Sequence, residues 1–368
     1  MNAAHRSQTP SSSRRKVLRE ILPAIRANCL ISDAVHSGLY SLCGLFLRLK
    51  DLYLWEQGLA PWMAISKEQL LAWIEQKEAL WGQSLEAPFQ SLRIDKKPFD
   101  ILNSRKINQH LLPLGLFYGA GFGRGLKPAF FLGRVQKRFS IQGFQVIILD
   151  REYACDLFLM PALRQGKTIV IRLEPLRFFL WGKIQETEQF ERQATALALS
   201  YYGWDWDGPK GKQLAGLVQR EMPAFLYHEL GEAKDRTLPQ GIWRRILSTY
   251  PQTRIEIYLR SLKDLLADTH PAGTLPFIIG EERKGSLAFY LSNLKGMAKA
   301  LFPDIIPAIK QFREDENWPA IEEVRKKARQ RFVWQGRRIR ELFADLSPAK
   351  ADRLSKVFEK EFMRPLGL

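Results

Sequence analysis

The sequence predicts an α+β protein: a helical N-terminal layer, a small, largely antiparallel β-sheet, and a mainly α-helical C-terminal domain. Three observations carry this. Apolar residues follow helical spacing to about residue 112 and again from about residue 187. Residues 129–183 change to alternating patterning rich in β-branched and aromatic side chains. No helix-length segment separates those strands, which argues against a doubly wound parallel sheet. At 368 residues, with 46% hydrophobic and 11% aromatic content, the chain has ample material for a core and is not a disordered polymer. Residues 1–27 are expected to be a disordered basic tail, residues 28–193 the helical segment with the sheet, and residues 194–368 a helical domain with a basic C-terminal region.

Within the tail, Lys16 to Ala27 has the pattern of a short basic helix. Ser32 then reads as the cap of a helix from Asp33 to about Gln57, stopped by Gly58. Val35, Leu39, Leu42, Phe46, Leu49 and Tyr53 form one stripe, and further leucines make this helix apolar nearly all round, as expected of a central element. Ser66 with Gln69 makes a capping box for a helix to about Trp81. Arg93 to Pro98 reads as a polar turn, and a short helix follows, ended by Pro113. Strands are expected at 129–135, 139–143, 144–150, 155–159, 167–173 and 177–181, with hairpin turns at Gln142-Gly143 and Gln165-Gly166. Asp150 and Glu152 are expected to be solvated. Helices are then expected at 187–200, 213–233, 241–249, 252–268, 285–301 and 318–331, with a last one capped by Ser347-Pro348.

The totals exclude some functions. Cys29, Cys43 and Cys155 are too few and too scattered for a disulfide framework or zinc knuckle, so a reducing, cytoplasmic setting is the expectation. The N-terminus lacks the apolar stretch of a secretory signal, and no uncharged run reaches the roughly 20 residues a transmembrane helix needs. Lysines and arginines number 56 against 39 acidic residues, a net charge of +17, which suits nucleic acid, an acidic protein partner or solubility alone.

Leu114 to Pro128 alternates glycines with aromatic and basic residues. A phosphate loop using Arg124 or Lys127 is one reading, but neither the dinucleotide fingerprint nor a G-K-[ST] ending is present, and a strand rather than a helix follows. A glycine turn is the other. The loop Y-G-W-D-W-D-G-P-K-G (Tyr202–Gly211) alternates rings with carboxylates but lacks the acidic ligand that completes a calcium loop.

Four blocks carry a resemblance: Leu42–Leu59, Phe117–Gly133, H-E-L-G-E-A (His228–Ala233), and L-L-A-D-T-x-P-x-G-T-L-x-x-I-I (Leu265–Ile279). In this order they resemble an uncharacterised bacterial family known as a pair of domains of unknown function, found in sulfate- and metal-reducing bacteria. The resemblance spans roughly residues 28 to 345 and implies no activity.

Chemistry is most concentrated at Glu221–Asp235. His228 and Glu232 stand one helical turn apart, while Glu221 lies before Pro223, which either opens a new helix or kinks a continuous one. An imidazole and a carboxylate at this spacing can hold a divalent metal ion with ligands from another helix, or act as an acid/base pair. Asp264, Asp268 and His270 are the candidate partners. A solvated surface pair is the plainer alternative. The second candidate is Arg325, Lys326, Lys327, Arg329, Arg331, Arg337, Arg338 and Arg340 with Trp334, an uninterrupted basic run suited to phosphates and unpaired bases. A non-catalytic protein-interaction module is the third reading.

Overall fold

A computed structural model describes residues 12–367. Two compact units result: residues up to Gly123 with 127–160 and 172–174, and residues 124–126, 161–171 and 175 onwards. The boundary expected near residue 193 lies inside a helix, and the division falls earlier, between residues 160 and 175.

In the first unit, α1 (Ser12–His36) places Val17, Ile21, Ile25 and Cys29 four residues apart, all buried, and packs on the sheet. Of the expected tail, residues 1–11 lie outside the described residues, and 12–27 belong to α1. The apolar stripe outweighs the basic composition there. Ser32 and Asp33, expected to open the next helix, are instead buried inside α1. The chain breaks after His36, in a run containing Ser37 and Gly38, both weaker helix formers than alanine. Ser41 Oγ then accepts from Gly44 N at 3.2 Å to cap α2 (Leu42–Glu56). α2 is not apolar-buried all round: Leu49, Leu52 and Leu54 are inside, but Leu42 and Leu47 are 85% and 60% exposed. α3 (Lys67–Ser84) starts at the expected Ser66 cap, whose Oγ accepts from Gln69 N. The stretch expected to be a turn is a small hairpin, β1 (Leu92–Ile94) and β2 (Lys97–Phe99), followed by α4 (Ser104–Leu111).

β3 (Leu116–Phe122), β4 (Pro128–Ile141) and β5 (Phe144–Cys155) form an antiparallel meander. Gln142 and Gly143 both have positive φ, 49° and 86°, as a two-residue hairpin turn requires. The two short strands expected at 129–143 are one, β4, with register shifts near Gly133 and Val135 that let it bend. Much of the glycine run is strand. At Gly119 an added Cβ would sit 1.9 Å from the Phe131 ring on β4, so the glycine makes room for that ring. Nor is Lys127 free to meet a phosphate. It is buried, with Nζ 2.9 Å from Asp33 and 3.5 Å from Asp156. Glu152, expected to be solvated, is buried against Arg172.

The hairpin β6 (Ala162–Gln165) and β7 (Thr168–Arg172), turned at Gly166, belongs to the second unit up to Ile171. α5 (Leu173–Ile184) replaces the strand expected at 177–181. Leu173, Leu176, Leu180 and Ile184, all buried, recur at helical rather than alternating spacing. There follow α6 (Gln189–Tyr201), α7 (Lys210–Lys234), α8 (Gln240–Thr249) and α9 (Arg254–Thr269). The unforeseen α10 (Thr274–Gly280) comes next, and the helix expected at 285–301 is split into α11 (Lys284–Asn293) and α12 (Gly296–Leu301). The unforeseen α13 (Ile305–Asp315) precedes α14 (Trp318–Leu342), which runs a further three turns past Arg331, and α15 (Ala351–Phe358). Tyr258, Leu262, Leu266, Phe302, Phe332 and Phe358 are among the residues of its core. No helix among the described residues is long and apolar enough to cross a membrane.

Candidate metal centre

α7 runs unbroken through Pro223, so Glu221 and His228 share one helix. Glu221 is nevertheless two turns from the histidine and is committed elsewhere, buried and accepting from Ser286 Oγ at 2.7 Å and from the Tyr202 hydroxyl. His228 and Glu232 remain. α9 packs against this part of α7 and presents Asp264 and Asp268, again one turn apart. His228 Nδ1 lies 2.8 Å from Asp268 Oδ1, and Nε2 lies 3.9 Å from Asp264 Oδ1. One donor atom each from His228, Glu232 and Asp264 falls within 4.8 Å of the others.

Glycines set this approach. A Cβ on Gly231 would stand 2.1 Å from the Ala267 carbonyl oxygen, and one on Gly273 would stand 1.9 Å from the same atom. Backbone cannot yield as a flexible side chain does, so α7 and α9 meet this closely only with glycine there. Gly231 is thus a packing residue inside α7.

The charges are arranged unevenly. Burial alone would lower the imidazole pKa, but Asp268, by charge and hydrogen bond, then Asp264 and Glu229, lift His228 to about 10. Burial would raise Glu232, yet Lys263, whose Nζ is 2.9 Å away, His228 and Arg164 hold its carboxyl below the usual range. Glu229 is buried, and desolvation with the neighbouring Glu232 charge pushes it up to about 7. The Tyr290 hydroxyl is buried facing Asp268, outside normal hydrogen-bond geometry.

A histidine whose Nδ1 is held by a carboxylate presents Nε2 in a fixed direction, the arrangement that orients metal-ligating imidazoles. One nitrogen and two carboxylate oxygens form a donor set suited to Zn²⁺ or Mn²⁺. Asp264 is the exposed member, its side chain 57% accessible, so an ion would reach the cluster from that side.

Of the five residues predicted for this site, four come together. His270 does not. α9 ends at Thr269, His270 has extended backbone, and its Nδ1 accepts from Ala272 N at 3.0 Å in the following turn. Lys263, Arg164 and Tyr290 were not foreseen. Lys263 adjoins Asp264 in sequence, which is a usable signal, whereas Arg164 arrives from the β6–β7 hairpin and has none.

The basic run lies on α14, and much of it is engaged within the second unit. Arg325 is buried, its guanidinium donating to the Thr269 carbonyl at 2.5 Å and to Glu322 at 2.6 Å. Arg329 donates to the Leu266 carbonyl at 2.7 Å and pairs with Asp235, Arg331 pairs with Asp304, and Arg338 with Glu361. Lys326 and Lys327 are exposed with carboxylates one turn back, while Arg337 and Arg340 are exposed and form no ion pair among the described residues. Trp334 is 60% exposed, whereas Phe332 is fully buried.

The fold and this site define a two-unit α+β protein with a histidine–carboxylate cluster between two helices of its helical unit. The chain belongs to the family of unknown function DUF6866: its N-terminal domain matches residues 20–172 and its C-terminal domain matches residues 177–361. No curated protein and no solved structure matches the chain.

Proposed function

We propose that the second unit binds a divalent metal ion through His228, Glu232 and Asp264, with Asp268 orienting the imidazole. The observation that carries this is the convergence of the three donor atoms within 4.8 Å on the facing sides of α7 and α9. Three protein ligands leave coordination positions for water, the composition of a site that can polarise a substrate or activate that water. Binding requires His228 to give up its proton and Lys263 to move from Glu232. Titration of the purified protein with Zn²⁺ and Mn²⁺, followed by metal analysis after gel filtration, tests the proposal. A single ion should be retained per chain. His228→Ala and Asp264→Ala should each weaken retention on the order of 100-fold or more, and Asp268→Asn by about 10–100-fold, as expected for an orienting partner. Equal retention by the His228→Ala protein would remove the proposal.

A second reading rests on Trp334, a large ring exposed on α14 among Lys327, Arg337 and Arg340. Such a face suits single-stranded nucleic acid, the ring stacking on a base while cations meet phosphates. Retention on single-stranded DNA should fall steeply with salt, and Trp334→Ala with Arg337→Ala should abolish it. Retention that ignores either change speaks against this reading.

A further inference from the structure

Within the first unit, a cleft of about 770 Å³ opens between α1, α2, α3, β5 and the first residues of α5. Its size falls in the range of small-molecule sites, roughly 300–1,000 Å³. Four carboxylates line it: Asp33, Glu56, Glu152 and Glu174. Three are already answered. Asp33 faces Lys127 at 2.9 Å, Glu152 faces Arg172 at 2.7 Å, and Glu56 accepts from Lys77 at 2.7 Å and from Trp73 Nε1 at 3.0 Å. Glu174 differs. Its Oε2 accepts from Trp55 Nε1 at 3.2 Å and from Glu152 N at 2.7 Å, and its other oxygen has no donor among the described residues.

The cations divide in the same way. Lys77 is held by Glu56, but Arg26 and Arg151 have no carboxylate partner among the described residues. Both are exposed. Arg26 donates to the Tyr153 carbonyl at 3.1 and 3.2 Å, and the Arg151 guanidinium lies 5.8 Å from the Tyr153 ring centre. The open charges of the cleft are therefore one carboxylate beside the Trp55 indole and two guanidinium groups on β5 and α1.

A simple anion would leave the half-buried Glu174 carboxylate without a cation in direct contact, and a simple amine would leave the two exposed arginines to water alone. A ligand carrying both charges answers all three. We infer that this cleft binds a small zwitterion of amino-acid or dipeptide size, its ammonium on Glu174 beside Trp55 and its carboxylate toward Arg26 and Arg151.

Isothermal titration of the full chain with the standard amino acids and a set of glycyl dipeptides tests this, with acetate, phosphate, methylamine and a nucleoside monophosphate as single-charge or polyanionic comparisons. At least one zwitterion should bind, and each comparison compound should bind about tenfold more weakly or not at all. Glu174→Gln keeps an acceptor for Trp55 and for the Glu152 amide but removes the charge, and should weaken zwitterion binding about tenfold or more. Arg151→Ala, at an exposed position that leaves folding intact, should do the same. Failure of every zwitterion to bind at about 10 mM overturns the inference. So does preferential binding of phosphate or the nucleotide with affinity unchanged by Glu174→Gln.

Discussion

A Lys127→Met protein is expected to be less stable than the parent by about 3–5 kcal/mol, the cost of leaving buried charge without its partner. The single ammonium of Lys127 lies between the buried carboxylates of Asp33 and Asp156 and also donates to Ser32 Oγ at 3.0 Å. Asp33 in turn accepts from Leu157 N at 3.1 Å, and Asp156 accepts from Phe130 N at 2.9 Å and Phe158 N at 2.8 Å. The network ties α1 to the start of β4 and to the segment after β5. Two carboxylates around one cation already leave excess negative charge, and burial, opposed by Lys127, pushes Asp33 up to about 7. Methionine preserves most of the side-chain volume, so the loss measured by urea denaturation reports charge rather than a cavity. It should shrink as pH is lowered and the carboxylates take up protons. Adding Asp33→Asn and Asp156→Asn should recover much of it, because the penalty lies in uncompensated charge. A Lys127→Met protein as stable as the parent at pH 8 would show that the network is solvated.

Gly231→Ala is expected to destabilise the second unit by about 1–3 kcal/mol and to weaken metal retention together with stability. The added methyl would need the space of the Ala267 carbonyl, 2.1 Å from its ideal position, so α7 must move away from α9. That movement lengthens the distance from His228 to both aspartates. Gly216, in the same helix, is the control: a Cβ there meets nothing within 4 Å, and Gly216→Ala should be neutral or slightly stabilising. Equal effects at the two positions would mean that intrinsic helix propensity, not the crossing, decides. Thermal unfolding followed by circular dichroism, with Zn²⁺ retention measured on the same samples, separates the cases.

The α+β class, the Ser66 cap, the Gln142-Gly143 hairpin and most helices were legible because local patterns produce them. Lys16 to Ala27 was legible as a short helix, but its basic composition hid that Val17, Ile21 and Ile25 make it part of a longer, buried one. Residues 177–181 misled because a short apolar run has no decisive period, and only the longer spacing from Leu173 to Ile184 identifies a helix. His228 with Glu232 was readable as a pair, and Asp264 and Asp268 as a second pair. That the pairs face each other depends on two helices crossing, which no local pattern encodes. The local traces of the crossing are Gly231, a glycine among good helix formers, and Gly273 just beyond the end of α9. The cleft beside Glu174 was not legible at all, since its walls come from five separate segments.

The arginines of α14 have a consequence for how the second unit comes together. α9 ends at Thr269 without a glycine to close it, and two of its last carbonyls, those of Leu266 and Thr269, receive guanidinium donors from Arg329 and Arg325. The final turn of α9, which carries Asp268, is therefore finished by two arginines that lie 56 and 63 residues beyond the carbonyls they meet. Those two donors answer carbonyls that the helix itself leaves open, in the turn from which Asp268 holds His228. The histidine–carboxylate cluster is thus supported by a basic helix that contributes no atom to it.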